Sequence, residues 1–355
     1  MHLASFTHLS PSFLLLLAVI QSSSVNAQTY NASFNNSEWV GKTGSFACSL
    51  SHKIPGFGAA QFVRNAGKGE FFELKGISQA FPGGDVKIES VPPMWRNEDS
   101  PAVLGQVQAS ANQPLRLGPA QVGVISRALE QRTNVVFSST QVNSTGNSLR
   151  VVLEAHNFSA AYSKYQRCMA ELIPYTFDQL SRTLINYAVN ADDLSASAKA
   201  QLDKIVRYKK ADPRVLGIIV DAHSEKLPTA EEGQAASQRQ AELVTAYLID
   251  KGLAADTVTT RWHGDKFPIA NNQSKAGQAK NRRVTIRLEN ETTRKEMEKK
   301  IAAIKEAEQK AAEKSSQGQS SSSSPDLPVN LQQLEQMVEQ QDLTTGKQPE
   351  LKPAQ

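Results

Sequence analysis

Three short runs in the second half of the chain hold the side chains best suited to polar chemistry: Ala222-His223-Ser224-Glu225, Ser237-Gln238-Arg239-Gln240-Ala241 and Asn281-Arg282-Arg283-Val284. The first follows Val215 to Asp221, a Val- and Ile-rich stretch that reads as a buried strand. Glu225 therefore lies just past the strand's carboxyl end, where backbone amides and side chains are open to a ligand. The second run lies in a helix whose Ser237, Ala241, Val244 and Leu248 recur at helical spacing and face the sheet. At about 100° per residue, Arg239 stands about 200° from that stripe and points to solvent. Gln240 lies at the stripe's edge, where it can reach over the strand end towards Glu225. The pattern suits recognition of a polar ligand.

Catalytic chemistry has no comparable support, and the chain is not expected to be an enzyme. Outside the N-terminal leader the histidines are His52, His156, His223 and His263, scattered without metal-ligand spacing, so neither metal nor cofactor is expected. There is no Gly-x-Ser-x-Gly elbow and no phosphate-cradling glycine loop. The formal net charge is +4, and basic residues alternate with acidic ones. That excludes the basic stripe a nucleic-acid binder needs, while remaining compatible with an anionic cell-wall polymer.

The elements around these runs predict an exported protein of two domains and a tail. Residues 1–27 read as a signal peptide, with the apolar run Phe13 to Ile20 too short to span a bilayer and Val25-Asn26-Ala27 before the cleavage site. No direct membrane insertion is expected. Residues 28–174 carry short alternating strands separated by Pro55-Gly56, Pro82-Gly83-Gly84 and Pro92-Pro93, which predicts an antiparallel all-β sandwich or irregular barrel with a helix near Val122 to Arg132. Two further helices are expected, about Ala160 to Leu172 and Thr176 to Leu184. Residues 175–290 alternate strand and helix in the order β-α-β-α-β-β, an α/β layer fold, with a first strand at Leu184 to Val189 and a helix from Ala235 to Lys251 ended by Gly252. Residues 291–355 are a charged helical stretch, the serine linker Ser320 to Ser324 and a Gln-rich piece expected to be disordered. In an oxidising compartment the two cysteines, Cys48 and Cys168, pair as a disulfide or sit as two buried thiols; the export signal favours the pair, whose loop closure contributes roughly 4 to 5 kcal/mol.

From Tyr187 to Leu288 the chain is similar to the OmpA-type peptidoglycan-binding family. That family's hallmarks are Gly-His-Thr-Asp, Leu-Ser-x-x-Arg-Ala, Pro-Ile-Ala-x-Asn and Asn-Arg-Arg-Val. Here they read Ala222-His223-Ser224-Glu225, Ala236-Ser237-Gln238-Arg239-Gln240-Ala241, Pro268-Ile269-Ala270-Asn271-Asn272 and Asn281-Arg282-Arg283-Val284. The resemblance implies that the family's aspartate and the arginine before alanine, which clamp the zwitterionic end of diaminopimelate, correspond to Glu225 and Gln240. Glu225 keeps the charge. Gln240 does not, and a neutral amide cannot replace a charge-assisted fork. Arg239, Arg282 or Arg283 would then supply the cation, with Asn190 matching an asparagine that lines the family's pocket and Asn281 belonging to the motif at its border.

Upstream, Cys48-Ser49-Leu50-Ser51-His52-Lys53-Ile54-Pro55-Gly56-Phe57-Gly58, Pro92-Pro93-Met94-Trp95-Arg96 and Cys168 with Tyr175-Thr176-Phe177-Asp178 resemble the MotY-like family of sodium-type flagellar motor proteins. This implies a non-catalytic periplasmic protein on the outer-membrane side of the flagellar basal body. Its β domain would dock on the basal body and a MotX-like partner, and its α/β domain would bind peptidoglycan to hold the stator complex against torque. Phe57, Trp95 and Arg96 are the residues expected at the docking face, with ordinary core or turn packing as the other reading. The alternative for the whole chain is a general OmpA-like envelope protein that links the wall to another partner; recovery with basal bodies separates the two.

Overall fold

The computed structural model describes residues 27–77, 81–93, 95–96, 100–142 and 148–316. The leader's apolar run, the serine linker and the Gln-rich piece lie outside them. The described residues divide into two compact units, one drawn from 1–41, 50–62 and 71–163 and the other from 42–49, 63–70 and 164–355.

In the first half of the chain, segments that alternate apolar and polar residues form strands, and in β3 to β6 alternate positions are buried. In chain order they are β1 (Ala27–Tyr30), β2 (Trp39–Lys42), β3 (Ala47–Ile54), β4 (Gly58–Asn65), β5 (Phe71–Gly76), β6 (Gly84–Val91), β7 (Ala102–Ala109) and β8 (Leu115–Leu117), then helix α1 (Pro119–Glu130), β9 (Asn134–Val142), β10 (Ser148–Leu153) and helix α2 (Phe158–Glu171). They make two five-stranded sheets, ordered β2-β3-β4-β5-β8 and β1-β10-β9-β6-β7. The expected all-β architecture is therefore present, with two differences. β1 pairs parallel to β10, and β9, which the turn-rich reading passed over, is an interior strand between β10 and β6. Aromatic rings fill the space between sheets: Phe72 of one stacks on Phe137 of the other with centroids 5.6 Å apart, and Phe62 meets Phe72 at 5.1 Å. The Trp39 ring stacks on His52 at 4.6 Å, and its Nε1 donates to the Glu154 carbonyl at 2.9 Å.

The second half runs α3 (Phe177–Leu180), β11 (Arg182–Asn186), α4 (Ala196–Ala211), β12 (Gly217–His223), α5 (Ala230–Asp250), β13 (Val258–Trp262), α6 (Lys275–Asn281), β14 (Arg283–Glu289) and α7 (Glu291–Ser316). One mixed sheet has the order β11-β14-β12-β13, with β12 parallel to β13 and antiparallel to β14. Leu202 and Ile205 of α4 and Ala241, Val244 and Leu248 of α5 pack with Ile218, Val220, Ala222, Val284 and Ile286 of the sheet. The expected strand and helix order holds, but two boundaries move. Residues 182–184 are strand rather than helix: Thr176 and Gln179 close a capping box on a single helical turn, after which the chain pairs with β14 and ends its strand at Asn186. α5 starts at Ala230 because Thr229 accepts a capping hydrogen bond from the Glu232 amide at 3.2 Å.

The segments 42–49 and 63–70 cluster with this α/β unit. Phe46 lies 5.0 Å from the Tyr208 ring, and the Ile173 amide donates to the Ser45 carbonyl at 3.0 Å. Cys48 and Cys168 form a disulfide with Cα atoms 6.0 Å apart, and both belong to this unit. The bond therefore ties the start of β3 to α2.

Candidate functional site

β12 is buried along its whole length, and the chain leaves it at Ser224, whose amide donates to the Gly264 carbonyl at 2.7 Å. This places Glu225 at the strand exit with 8% of its surface exposed. Its carboxylate is engaged: Oε2 lies 2.9 Å from Nη1 of Arg282. Arg282 follows directly on α6 and precedes β14, and its Nε donates to the Tyr187 carbonyl at 3.2 Å. Asn186 fixes that corner by donating to the carbonyls of Ala279 at 3.0 Å and Arg282 at 3.2 Å. Tyr187 donates its hydroxyl to the His223 carbonyl. Burial raises the Tyr187 hydroxyl far above its ordinary value, with the charges of Arg282 and Arg283 opposing, so it remains a protonated donor.

Across the cleft, α5 carries Gln240 at the helix edge, as its position in the face pattern predicts. Its amide does not reach Glu225. It donates to the Ala191 carbonyl at 2.6 Å and is 4% exposed. Asn190 makes this possible by taking a left-handed turn, φ 52°, which asparagine tolerates better than most residues. Asn190 and Arg239 are exposed and line the cleft with Tyr187, Leu227 and Arg282. Arg239 thus faces solvent as expected, yet stands at the cleft's rim. The cleft encloses about 40 Å³, against roughly 300–1,000 Å³ for a site that engulfs a small molecule. It can take the charged terminus of a ligand and not its body.

Two residues expected here lie elsewhere. Asn281 is fully buried and clasps the preceding loop: its Oδ1 accepts from the Ile269 and Ala270 amides at 2.9 and 3.0 Å, and its Nδ2 donates to the Ala270 carbonyl at 2.8 Å. Arg283 begins β14, one residue on from Arg282, so the period of two turns it away from the cleft. Its Nη2 donates to the Phe267 carbonyl at 3.0 Å, and the residue is buried. Tyr187 and the Ala191 carbonyl were not predicted as parts of the cleft; the signal for both was the polar turn that follows a strand adjacent to β12's partner.

On the other face of the same sheet, Asp221 is fully buried between two arginines and a histidine. Arg261 Nε lies at 2.7 Å, His263 Nε2 at 3.0 Å and Arg287 Nη2 at 3.3 Å. Burial alone would raise the Asp221 carboxyl, but the His263 hydrogen bond and the charges of Arg287 and Arg261 hold it well below the usual carboxylate range. Next to it His223 stacks on His263 at 4.9 Å; burial and the Arg283 charge push its imidazole well below its ordinary value. This cluster braces the strand that presents Glu225. Among the described residues no group of three or more His, Cys, Asp or Glu side chains could hold a metal ion, and no helix is long and apolar enough to cross a membrane.

The three residues expected at a docking face separate. Phe57 is 1% exposed, packed against Tyr30 and Phe81 with centroids 5.8 and 6.0 Å away, and so is a core residue. The tight turn forces this: Gly56 and Gly58 both have positive φ, and a Cβ on Gly58 would lie 2.1 Å from the Lys75 carbonyl oxygen. Arg96 is exposed and donates to the Gln131 carbonyl, the residue that ends α1, at 3.1 Å. Trp95 is 74% exposed.

Residues 30–174 match the MotY N-terminal domain, and residues 186–282 match the OmpA family. The chain therefore joins a MotY N-terminal domain to an OmpA-family domain. It is 28% identical over 278 residues to the sodium-type flagellar protein MotY of Vibrio parahaemolyticus, an alignment that covers 78% of this chain and 95% of that protein. It is 29% identical over 97 residues to outer membrane protein A of Escherichia coli O157:H7, covering 27% of this chain and 28% of that one. The periplasmic domain of Helicobacter pylori MotB is a structural neighbour at TM-score 0.28 and 18% identity, covering 31% of this chain and 74% of that domain. Neither matched family is one of catalysts.

Proposed function

We propose that this protein is a non-catalytic periplasmic component of the flagellar motor that associates with the basal body and steadies stator units by binding peptidoglycan through its OmpA-family domain. The observation that carries the reading is the Glu225–Arg282 pair, 2.9 Å apart at the exit of β12, in a cleft that opens beside Arg239 and Asn190. An ammonium group would take Glu225 and a carboxylate would take Arg282 with Arg239, so the site suits the zwitterionic end of a stem peptide containing diaminopimelate. Arg282 then supplies the guanidinium that Gln240 lacks. The motor assignment rests on the likeness to MotY along both domains, which a general OmpA-like envelope protein would not share upstream of residue 175. A MotX-like protein and the stator complex are the partners this assigns.

The test is sedimentation with isolated sacculi. Wild-type protein pellets with the wall, and Glu225→Gln stays in the supernatant. Wild-type protein that remains soluble in the presence of sacculi would contradict the wall-binding reading. A clean deletion is expected to leave filaments assembled but not rotating, and normal swimming would contradict the motor reading.

A further inference from the structure

A second cleft among the described residues is remote in sequence from Glu225. It lies in the first unit, encloses about 810 Å³ and is walled by residues that follow β1, by Trp95, by the turn before β9 and by the turn between β10 and α2. That volume falls within the roughly 300–1,000 Å³ of a small-molecule site. Two aromatic faces stand at it in water: Trp95 is 74% and Phe34 61% exposed, and Phe34 is held against the His156 ring at 4.1 Å. Deeper in, the Glu154 carboxyl is half-buried; burial raises it above its usual range, against hydrogen bonds from Asn134 and Asn31. The Asn134 Oδ1 accepts from the Ala155 amide at 2.9 Å, which fixes the amide plane. Among the described residues of the lining, Arg132, in a left-handed turn at φ 60°, is the arginine and Glu154 the carboxylate.

We propose that this cleft binds an uncharged saccharide, with sugar rings laid on Trp95 and Phe34 and their hydroxyls bonded to Glu154 and its asparagines. The ring faces carry the negative side of the aromatic quadrupole, which attracts the C–H groups of a pyranose face. Side-chain amides and a carboxylate offer acceptors and donors together, as hydroxyl groups require. Among the described lining residues, one guanidinium and one carboxylate leave no surplus positive charge for a phosphate or a carboxylate ligand. An extended peptide is gripped through a free strand edge, whereas this lining begins at Asn31, past the end of β1. In a wall-binding protein the cleft would hold a glycan strand, independently of any stem peptide held at Glu225.

Titration of the full chain with chitotetraose and with chitohexaose, followed by tryptophan emission and calorimetry, tests this. Saturable binding is expected, weakened about tenfold in Trp95→Ala. Glu154→Gln weakens it too, and Glu225→Gln leaves it unchanged. Trp95→Ala is at an exposed position, so its unfolding midpoint should match wild type. The proposal is overturned if neither sugar binds saturably, if Trp95→Ala and Glu154→Gln bind like wild type, or if only peptides occupy the cleft.

Discussion

Replacing Gln240 by arginine should convert a half-built clamp into a complete one. The Gln240 amide donates to the Ala191 carbonyl at 2.6 Å, and a guanidinium can keep that bond, so folding should change by no more than about 1 kcal/mol. For a ligand carboxylate the new group adds a charged hydrogen bond, about 1.5–3 kcal/mol. Against this stands repulsion from Arg282, which is paired with Glu225, and from Arg239 at the cleft's rim. A net gain of about 1–2 kcal/mol follows, or about 5- to 30-fold in affinity. Calorimetry with a soluble stem tripeptide ending in meso-diaminopimelate reads it directly. The same peptide amidated at that carboxylate must lose the gain, and Glu225→Gln in either background must abolish binding. The reasoning is refuted if Gln240→Arg folds normally yet binds no more tightly than wild type, or if the amidated peptide gains equally.

Asp221→Asn should lower the unfolding free energy by about 3–5 kcal/mol in urea titration, because it leaves Arg261 and Arg287 buried without a counter-charge. Asp221→Leu combined with Arg261→Met and Arg287→Met should recover most of that loss. Acid should act in two stages. Both His223 and His52 are held below their ordinary value, first by burial, so the folded state prefers them neutral and the unfolded chain takes up protons first. Their contribution is complete above about pH 6.5 and falls as pH drops, by at most about 1.4 kcal/mol per pH unit for each. The depressed Asp221 carboxyl adds a second loss below about pH 4. Urea midpoints measured from neutral to acid pH check this, and His223→Asn should flatten the first stage.

The sequence was most legible where one periodicity governed. The apolar stripe of α5 predicts which helix face is buried, and the Val- and Ile-rich run of β12 predicts where Glu225 emerges, because both depend only on local spacing. It was least legible where a polar residue's partners lie far along the chain. Asn281 reads as a ligand in the motif, yet its four bonds go to residues 269, 270 and 272, and only the folded loop reveals that. Phe57 reads as a surface aromatic beside Pro-Gly, but the two glycines flanking it reverse the chain so tightly that the ring enters the core. β9 was missed because Ser138 and Ser139 interrupt its apolar run, although both neighbouring strands pair with it.

The position of the cation follows from the same contrast. A one-residue step separates Arg282, at the turn after α6, from Arg283, at the start of β14, and the strand's period of two decides which of them meets Glu225. Because Arg282 is anchored by the Tyr187 carbonyl and by Asn186 through its own carbonyl, its guanidinium is placed by the sheet and not by α5. The helix edge is thereby released from supplying charge, and a neutral Gln240 tied to Ala191 becomes compatible with a cleft that still pairs the Glu225 carboxylate with the Arg282 guanidinium. If that reasoning is right, Arg282→Gln should abolish wall sedimentation in the wild-type background and be partly rescued by Gln240→Arg. Loss that the second substitution cannot restore would mean that Arg282 serves only to hold Glu225 in place.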